Sequence, residues 1–183
     1  HDAIVLVPTA GLATVPQNIG DAILFGGEVG ATTRLFRHLT LAARYTFIDS
    51  RQRSTVPSYD GKRLPRRPRH HLYTRIDAAT RWRRRLWVAW ADADLAAGNF
   101  LDPANLSRSP PRHLFSAGLK IELVPGLLAA LEVKNLTGER TEMMTLDPAP
   151  RPDLSQVPRA VADVAGYPLP GRAFYATLEW RPR

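Results

Sequence analysis

The residues of this chain best suited to chemistry are its arginines, which concentrate in two clusters. Residues 61–69 read GKRLPRRPR, and a second basic run covers 81–85. The 183-residue chain carries a formal net charge of +8, which comes mainly from these two clusters. Guanidinium groups bind phosphates and carboxylates through paired hydrogen bonds. Basic clusters on a near-neutral body indicate local anionic partners rather than a general polycation.

Three interpretations of residues 61–69 are open: a nucleic-acid surface, a site for another anionic ligand, and a solvated loop. Surfaces that bind single-stranded nucleic acid interleave aromatic side chains with basic ones. The segment 61–69 contains no aromatic residue. No nucleic-acid partner is therefore expected.

The other candidate residues are histidines and one acid–base pair. His70 and His71 are adjacent, so on a strand they point to opposite faces and do not readily bind one metal ion. Glu132 and Lys134 share one face of a strand and are interpreted as an ion pair rather than a catalytic dyad. The chain shows no nucleophile elbow, P-loop, dinucleotide fingerprint or zinc-protease motif. We predict no enzyme, no metal site and no cofactor.

The elements that position these residues are strands, because apolar and polar residues alternate with a period of two. In the segment 39–50, Leu41, Ala43 and Tyr45 share one face, and Arg44 lies on the other. The run 86–93 is apolar on both faces and cannot be oriented from the sequence. Eight runs are predicted, at about 3–7, 22–33, 39–50, 71–80, 86–93, 113–123, 127–135 and 172–180.

The connections alternate between short and long. Short turns are predicted near 35–38, 82–84 and 124–126, and long connections near 8–21, 51–70, 94–111 and 138–170. Short turns at one end and long loops at the other are typical of an outer-membrane barrel. The fold prediction is an all-β, antiparallel, up-and-down transmembrane β-barrel segment of about eight strands, with short periplasmic turns and long outer loops. The predicted lipid-facing set is Leu41, Ala43, Tyr45, Phe115, Leu119, Phe174 and Leu178; the predicted lumen-facing set is Arg44, Lys120, Glu132 and Lys134.

Several segments resemble, in order, the C-terminal part of the β-barrel of TonB-dependent outer-membrane receptors. The segment VPQNIGDAILFGGEVGA is similar to that family's N-x-G-x-A-x-x-x-G-x-E pattern, and LTLAARYTFIDSR to the strand that follows. GKRLPRRPRHHLYTRID resembles its G-x-x-L-P-x-x-P-x-H segment. LEVKNLTGER resembles the V-x-N-L-T-D strand end, and GYPLPGRAFYATLEW the terminal Y-P-x-P-G-R-x-F strand.

The resemblance implies that residues 1–183 are the last third of a barrel of about 22 strands, without the plug domain and the earlier strands. It implies a receptor in the cell outer membrane that takes up a scarce solute, such as a siderophore, a cobalamin-like molecule or another large ligand. The implied partners are the plug domain, the TonB system, the barrel-insertion machinery, outer-membrane lipid and lipopolysaccharide. Two sets of residues follow: Arg63, Arg66, Arg67 and Arg69 as outer-loop contacts to the ligand or to lipopolysaccharide, and Phe174, Leu178 and Trp180 as the insertion signal of the terminal strand.

Two alternatives remain at this level. The first is a self-contained eight-stranded outer-membrane barrel, since eight strands suffice for closure. It requires the first run, which is short, to pair with the last. The second is a soluble, arginine-rich β domain that binds nucleic acid.

Overall fold

The computed structural model describes residues 2–8, 14–140, 144–145, 160–161 and 171–181, and side chains within 21–140 and 171–181. Most of the connection 138–170, including Tyr167–Pro170 of the terminal motif, lies outside the described residues. Every regular element of the described part is a strand, and no helix in it is long and apolar enough to span a bilayer. The strands are β1 Asp2–Pro8, β2 Thr14–Leu35, β3 Leu39–Arg53, β4 His70–Trp82, β5 Arg85–Ala97, β6 Arg112–Val124, β7 Leu127–Lys134, β8 Met144–Thr145, β9 Ala160–Val161 and β10 Ala173–Trp180.

Eight of these strands form one antiparallel sheet in the order β1-β2-β3-β4-β5-β6-β7-β10. Neighbours in the sheet follow one another in the chain, except that β8 and β9 form a separate two-stranded ladder between β7 and β10. All eight predicted runs are strands of this sheet, which confirms the predicted fold class; the small β8–β9 ladder was not predicted. The sheet is not closed, because β1 and β10 do not pair, which excludes the alternative of a self-contained eight-stranded barrel.

The short turns have the backbone conformations that tight antiparallel hairpins require. Arg83 and Arg84 join β4 to β5 with φ angles of 50° and 64°. Two consecutive positive φ angles define the primed two-residue turn whose twist suits a β-hairpin. At the turn between β6 and β7, Gly126 has φ 86°, a conformation that favours glycine. The position is also crowded, because a Cβ there would lie 2.7 Å from the Arg181 carbonyl oxygen.

The predicted long connection at 8–21 is wrong, because β2 already begins at Thr14. Pro16 and Gly20 suggest a break in the chain, yet both lie within the strand. In the described residues, Thr14–Gly20 pairs only with β1, whereas β3 pairs with β2 from Asp21 onward. Proline is tolerated on a strand that has one free side, because its missing N–H is not needed there.

Two further strands run past their predicted ends. β3 continues to Arg53 and β5 to Ala97, into segments predicted as loops. The predicted boundaries follow the change from apolar to polar residues near Asp49 and Asp94. Main-chain pairing does not require apolar side chains, so the ladders extend beyond the apolar part of each strand.

The register assigns every side chain in the ladders to one of two faces. Leu41 pairs with Ile76, Ile76 with Ala91, and Ala91 with Ala117. The row continues through Val133 to Phe174. We call this side the apolar face, and all seven residues of the predicted lipid-facing set lie on it. The register also orients β5, whose Trp87, Ala89, Ala91, Ala93 and Leu95 belong to the apolar face.

Large apolar side chains on the apolar face are exposed rather than covered by a second layer. Phe174 is 73 % exposed, Leu178 74 % and Leu131 64 %. Aromatic residues mark both ends of the face. Trp82, Trp87 and Trp180 lie next to the short turns; Tyr45, Phe47, Phe115 and Phe174 lie toward the long connections. An apolar band between two aromatic girdles is typical of barrel walls that face lipid.

The opposite side, which we call the polar face, has one closely packed aromatic residue. Trp90 lies against Gly118, with which it pairs across β5 and β6. A Cβ built on Gly118 would lie 2.1 Å from Cζ2 of the Trp90 ring. The guanidinium of Arg75 covers the ring at 5.5 Å from its centroid. Gly118 therefore lets the indole lie flat against the sheet under Arg75.

The substitution Gly118→Ala is expected to push Trp90 off the sheet and to destabilise the folded barrel by about 1–3 kcal/mol through overpacking. Gly27→Ala is the matched control, because a Cβ at Gly27 has no atom within 4 Å. The measurement is urea unfolding of the full receptor in bilayers, followed by Trp fluorescence. Equal midpoints for the two variants would contradict the packing described for Trp90.

Candidate functional site: a charged sheet face and an arginine-rich loop pair

The four residues predicted to face the lumen all lie on the polar face, but they are spread across it. Arg44 is on β3, Lys120 on β6, and Glu132 and Lys134 on β7. Each has an acidic or basic neighbour. Arg44 Nε lies 3.4 Å from Glu28 Oε1, Lys120 Nζ 2.9 Å from Glu179 Oε2, and Lys134 Nζ 4.0 Å from Glu132 Oε1.

The centre of the polar face carries charged groups that the sequence analysis did not single out. Arg75 donates through Nε and Nη2 to the carboxylate of Asp77, at 2.8–3.0 Å. Arg112 Nη2 donates to Asp94 Oδ1 at 2.7 Å, and His71 Nε2 lies 3.2 Å from the same oxygen. Alternation in β4 and β5 could have placed Arg75 and Asp94 on this face, but only the register brings His71 and Arg112 to one carboxylate.

A cleft of about 570 Å³ lies over this part of the polar face. Tyr73, Asp92, Ser116 and Tyr175 line it together with the charged groups of β4 to β7. The Lys134 ammonium lies 5.3 Å from the centroid of the Tyr175 ring. The cleft offers donors, acceptors and ring faces in a mostly neutralised arrangement. Within the described residues, no group of three or more His, Cys, Asp or Glu side chains could hold a metal ion.

The four candidate arginines of the loop after β3 fall into two pairs. Arg63 and Arg69 are partly buried, and their Nε atoms lie 3.5 and 3.6 Å from Asp49 Oδ1. Arg66 and Arg67 are exposed and make no ion pair with another described residue. The sequence analysis missed Asp49 as the shared partner, because it stands on β3 more than ten residues before the cluster.

The loops 54–69 and 98–111, which we call the loop pair, pack together beyond the ends of β3 to β6. Tyr59, Leu101 and Ala104 are 6 %, 3 % and 6 % exposed, more buried than the apolar residues of the sheet. Burial raises the pKa of the Tyr59 phenol, and the nearby Asp102 carboxylate raises it further. Three of the five buried apolar side chains among the described residues therefore lie in the loop pair, and the other two, Ala96 and Leu128, lie in the sheet.

Polar side chains fix the two loops to each other through main-chain groups. Asn105 Oδ1 accepts from Arg63 N at 2.8 Å, and Asn105 Nδ2 donates to Arg63 O at 2.9 Å. Gln52, 2 % exposed, donates to Arg63 O and to Pro103 O at 2.9 and 3.0 Å. Asp102 accepts from the Leu106 and Ser107 amides. Buried polar groups that are satisfied in this way hold a loop in one conformation.

The predicted insertion-signal residues lie on β10. Phe174, Leu178 and Trp180 share the apolar face and are all strongly exposed. β10 pairs with β7 along its whole length, from Ala173 with Lys134 to Trp180 with Leu127. The three side chains are therefore held in one row by a complete ladder.

The up-and-down sheet with one apolar and one charged face defines the chain as a segment of a transmembrane barrel wall. Its sequence matches the family model "TonB dependent receptor-like, beta-barrel" over residues 1–136. The chain belongs to this family, whose members are receptors and transporters rather than enzymes and whose barrels lie in the Gram-negative outer membrane. No curated protein sequence matches the chain.

Solved structures show the same fold at low identity. The chain is similar to the ferric yersiniabactin uptake receptor FyuA from Yersinia pestis, with TM-score 0.69 and 18 % identity, over 88 % of this chain and 24 % of that one. It is similar to the siderophore receptor PiuA from Acinetobacter baumannii, with TM-score 0.66 and 16 % identity, over 98 % and 24 %. The copper transporter OprC matches with TM-score 0.64 and 19 % identity, over 98 % and 26 %. The chain thus spans about a quarter of the length of these proteins.

A swap of one charge between the two faces tests their assignment. Ala43→Arg places a guanidinium on the apolar face, where an arginine at the bilayer midplane costs about 2–4 kcal/mol. Arg44→Ala removes one from the polar face and leaves Glu28 in an exposed position. We expect Ala43→Arg to block folding of the full receptor into vesicles and Arg44→Ala to fold nearly as the wild type does, measured by the heat-dependent gel shift. Equal insertion of both variants would contradict the face assignment.

Proposed function

We propose that this chain is the C-terminal part of the barrel of an outer-membrane receptor that takes up a scarce solute in a TonB-dependent manner. The observation that carries the proposal is the two-sided sheet of a TonB-dependent receptor-like barrel. Its apolar face meets lipid, its polar face lines the lumen, and its long connections lie outside the cell. A plug domain and the TonB system act through parts of the receptor beyond this segment.

The polar face favours a role in the passage of a solute rather than in catalysis. Its acids and bases neutralise one another in pairs, so the wall offers hydrogen bonds without a large field of one sign. The solute class is open among a siderophore complex, a cobalamin-like molecule and another large ligand. FyuA and PiuA are siderophore receptors and OprC is a copper transporter, which favours a metal or its complex.

The test is uptake by cells that carry the full receptor. We expect one member of a panel of ferric siderophores, copper and cobalamins to accumulate in cells with an intact TonB system and not in cells that lack TonB. The control is a receptor whose plug domain is deleted. The proposal would be contradicted if no member of the panel accumulated in a TonB-dependent manner.

We also propose that Phe174, Leu178 and Trp180 are read by the barrel-insertion machinery. The support is their shared, exposed row on β10, together with the likeness of that strand to the family's terminal strand. Replacing Trp180 and Phe174 together by Ala should lower the amount of receptor in the outer membrane severalfold, measured on membrane fractions. Tyr175→Ala is the control, because Tyr175 is an exposed aromatic residue of the same strand on the polar face. Equal loss in the control would contradict recognition of this particular row.

A further inference from the structure

The apolar face of β3 becomes charged between Phe47 and Asp49. Up to Phe47 the residues on this face are apolar or aromatic, and beyond it they are Asp49, Arg51 and Arg53. A face in contact with lipid becomes charged only where the hydrocarbon ends. On the long-loop side of the barrel, that level is occupied by the head groups of the outer leaflet.

Guanidinium groups of the loop pair gather at this level. Arg69 Cζ lies 5.2 Å from the centroid of the ring of Phe47, the last aromatic residue of β3 on this face. Arg63 and Arg69 both approach Asp49 Oδ1. Arg63 and Arg108 lie over the ring of Phe100, at 5.6 and 5.4 Å from its centroid.

The basic groups outnumber the acid that they share. Asp49 is the only carboxylate in ion-pair contact with Arg63 or Arg69 among the described residues. The Nε atoms of both arginines are buried and have no hydrogen-bond acceptor. Burial lowers the pKa of the Arg63 guanidinium, Asp49 opposes this, and Arg69 and Arg108 lower it again. A further anion beside these guanidinium groups would reduce the repulsion between the arginines.

The neighbouring strand gives the same surface an apolar side. Phe25 pairs with Asp49 and Ile23 with Arg51, and their side chains are 74 % and 52 % exposed. A free inorganic anion gains nothing from exposed apolar side chains. A lipid that carries a phosphate next to acyl chains contacts both kinds of group.

We propose that Arg63 and Arg69 around Asp49, with Arg108 beside Arg63 over the Phe100 ring, form a binding site for a lipid phosphate, the phosphate of the lipid A part of lipopolysaccharide. The inference rests on the proposed outer-membrane function and names the partner of one surface. The proposal also distinguishes between the four arginines that the sequence analysis named together, because only Arg63 and Arg69 belong to this site. Arg66 lies in a pocket with Ala96 and Arg112, toward the polar face, and is not part of this site.

The loop pair holds the site in place before any lipid arrives. Asn105 fixes the main chain of Arg63 from both sides, and Arg69 N donates to Gly98 O at 3.3 Å. Guanidinium groups that are already positioned lose little freedom on binding an anion. The site is therefore a preformed surface, and lipid binding does not require a loop to become ordered.

The experiment measures lipid binding to the full receptor in detergent by native mass spectrometry, with bisphosphorylated lipid A and its dephosphorylated form as probes. The variant is Arg63→Gln with Arg69→Gln. Its affinity for the phosphorylated probe should fall about tenfold or more, the loss expected for charge-assisted hydrogen bonds. Its affinity for the dephosphorylated probe should not change.

The control is Arg66→Gln with Arg67→Gln, which removes the same charge from the same loop. We expect its affinity for the phosphorylated probe to stay within about twofold of the wild type, since separated exposed charges are screened. Equal losses in the two double variants would overturn the proposal in favour of diffuse attraction. Equal affinity of the wild type for both probes would overturn it as well.

Asp49→Asn keeps every arginine and removes the competing carboxylate, so it should bind the phosphorylated probe more tightly than the wild type does. This result does not depend on the folding of the arginine variants, and a weaker affinity would contradict the proposal. The last measurement is competition between inorganic phosphate and the phosphorylated probe. If inorganic phosphate displaces the phosphorylated probe from the wild type at comparable concentration, the site serves a free anion and the lipid assignment is wrong.

Insertion into vesicles separates the failure of this inference from that of the proposed function. A wild type that inserts and yet shows no preference for the phosphorylated probe contradicts the lipid site alone. A wild type that stays soluble without detergent contradicts the outer-membrane function itself.

Discussion

The structure depends on main-chain hydrogen bonds between neighbouring strands, because the sheet has no second layer. Ala96 and Leu128 are the only apolar side chains of the described ladders that are buried. In hydrocarbon an unpaired N–H or C=O group costs several kcal/mol, so a complete ladder replaces the apolar core as the source of order. This accounts for strands of 13 to 22 residues and for tight turns that lose little pairing. It also means that the two edge strands require partners that this sheet does not supply.

The same ladders decide the chemistry of the two faces. A slip of one residue would move Arg44 to the apolar face and Tyr45 to the polar one. The cost of placing a guanidinium in hydrocarbon opposes such a slip from the apolar side. Cross-strand partners such as Arg112 with Asp94, and Lys120 with Glu179, favour the observed register from the polar side. The charges of the polar face thus help to fix the register of the sheet.

The alternation of residues was sufficient to predict the eight strands of the sheet and the faces of β3, β6, β7 and β10. It could not orient β5, whose Trp90 and Val88 are apolar on the polar face, because the reason lies on another strand, in the space above Gly118. It placed the ends of β3 and β5 too early, since polarity marks the limit of hydrocarbon and not of pairing. The shared role of Asp49 could not be predicted, because Arg63 and Arg69 reach it only after the loop has folded back on β3.

Outside the bilayer the chain uses a different means of stabilisation. The loop pair has few ladder bonds, and its order comes from buried or half-buried side chains that bond to main-chain groups, such as Gln52 and Asn105. Water is available there, so an arginine can be exposed at little cost, whereas one that is buried needs a carboxylate or a ring. Arg63 and Arg69 have both kinds of neighbour, and Arg66 and Arg67 have neither among the described residues. Four similar residues in one short segment therefore differ in role because the folded loop buries two of them at the boundary of the apolar face.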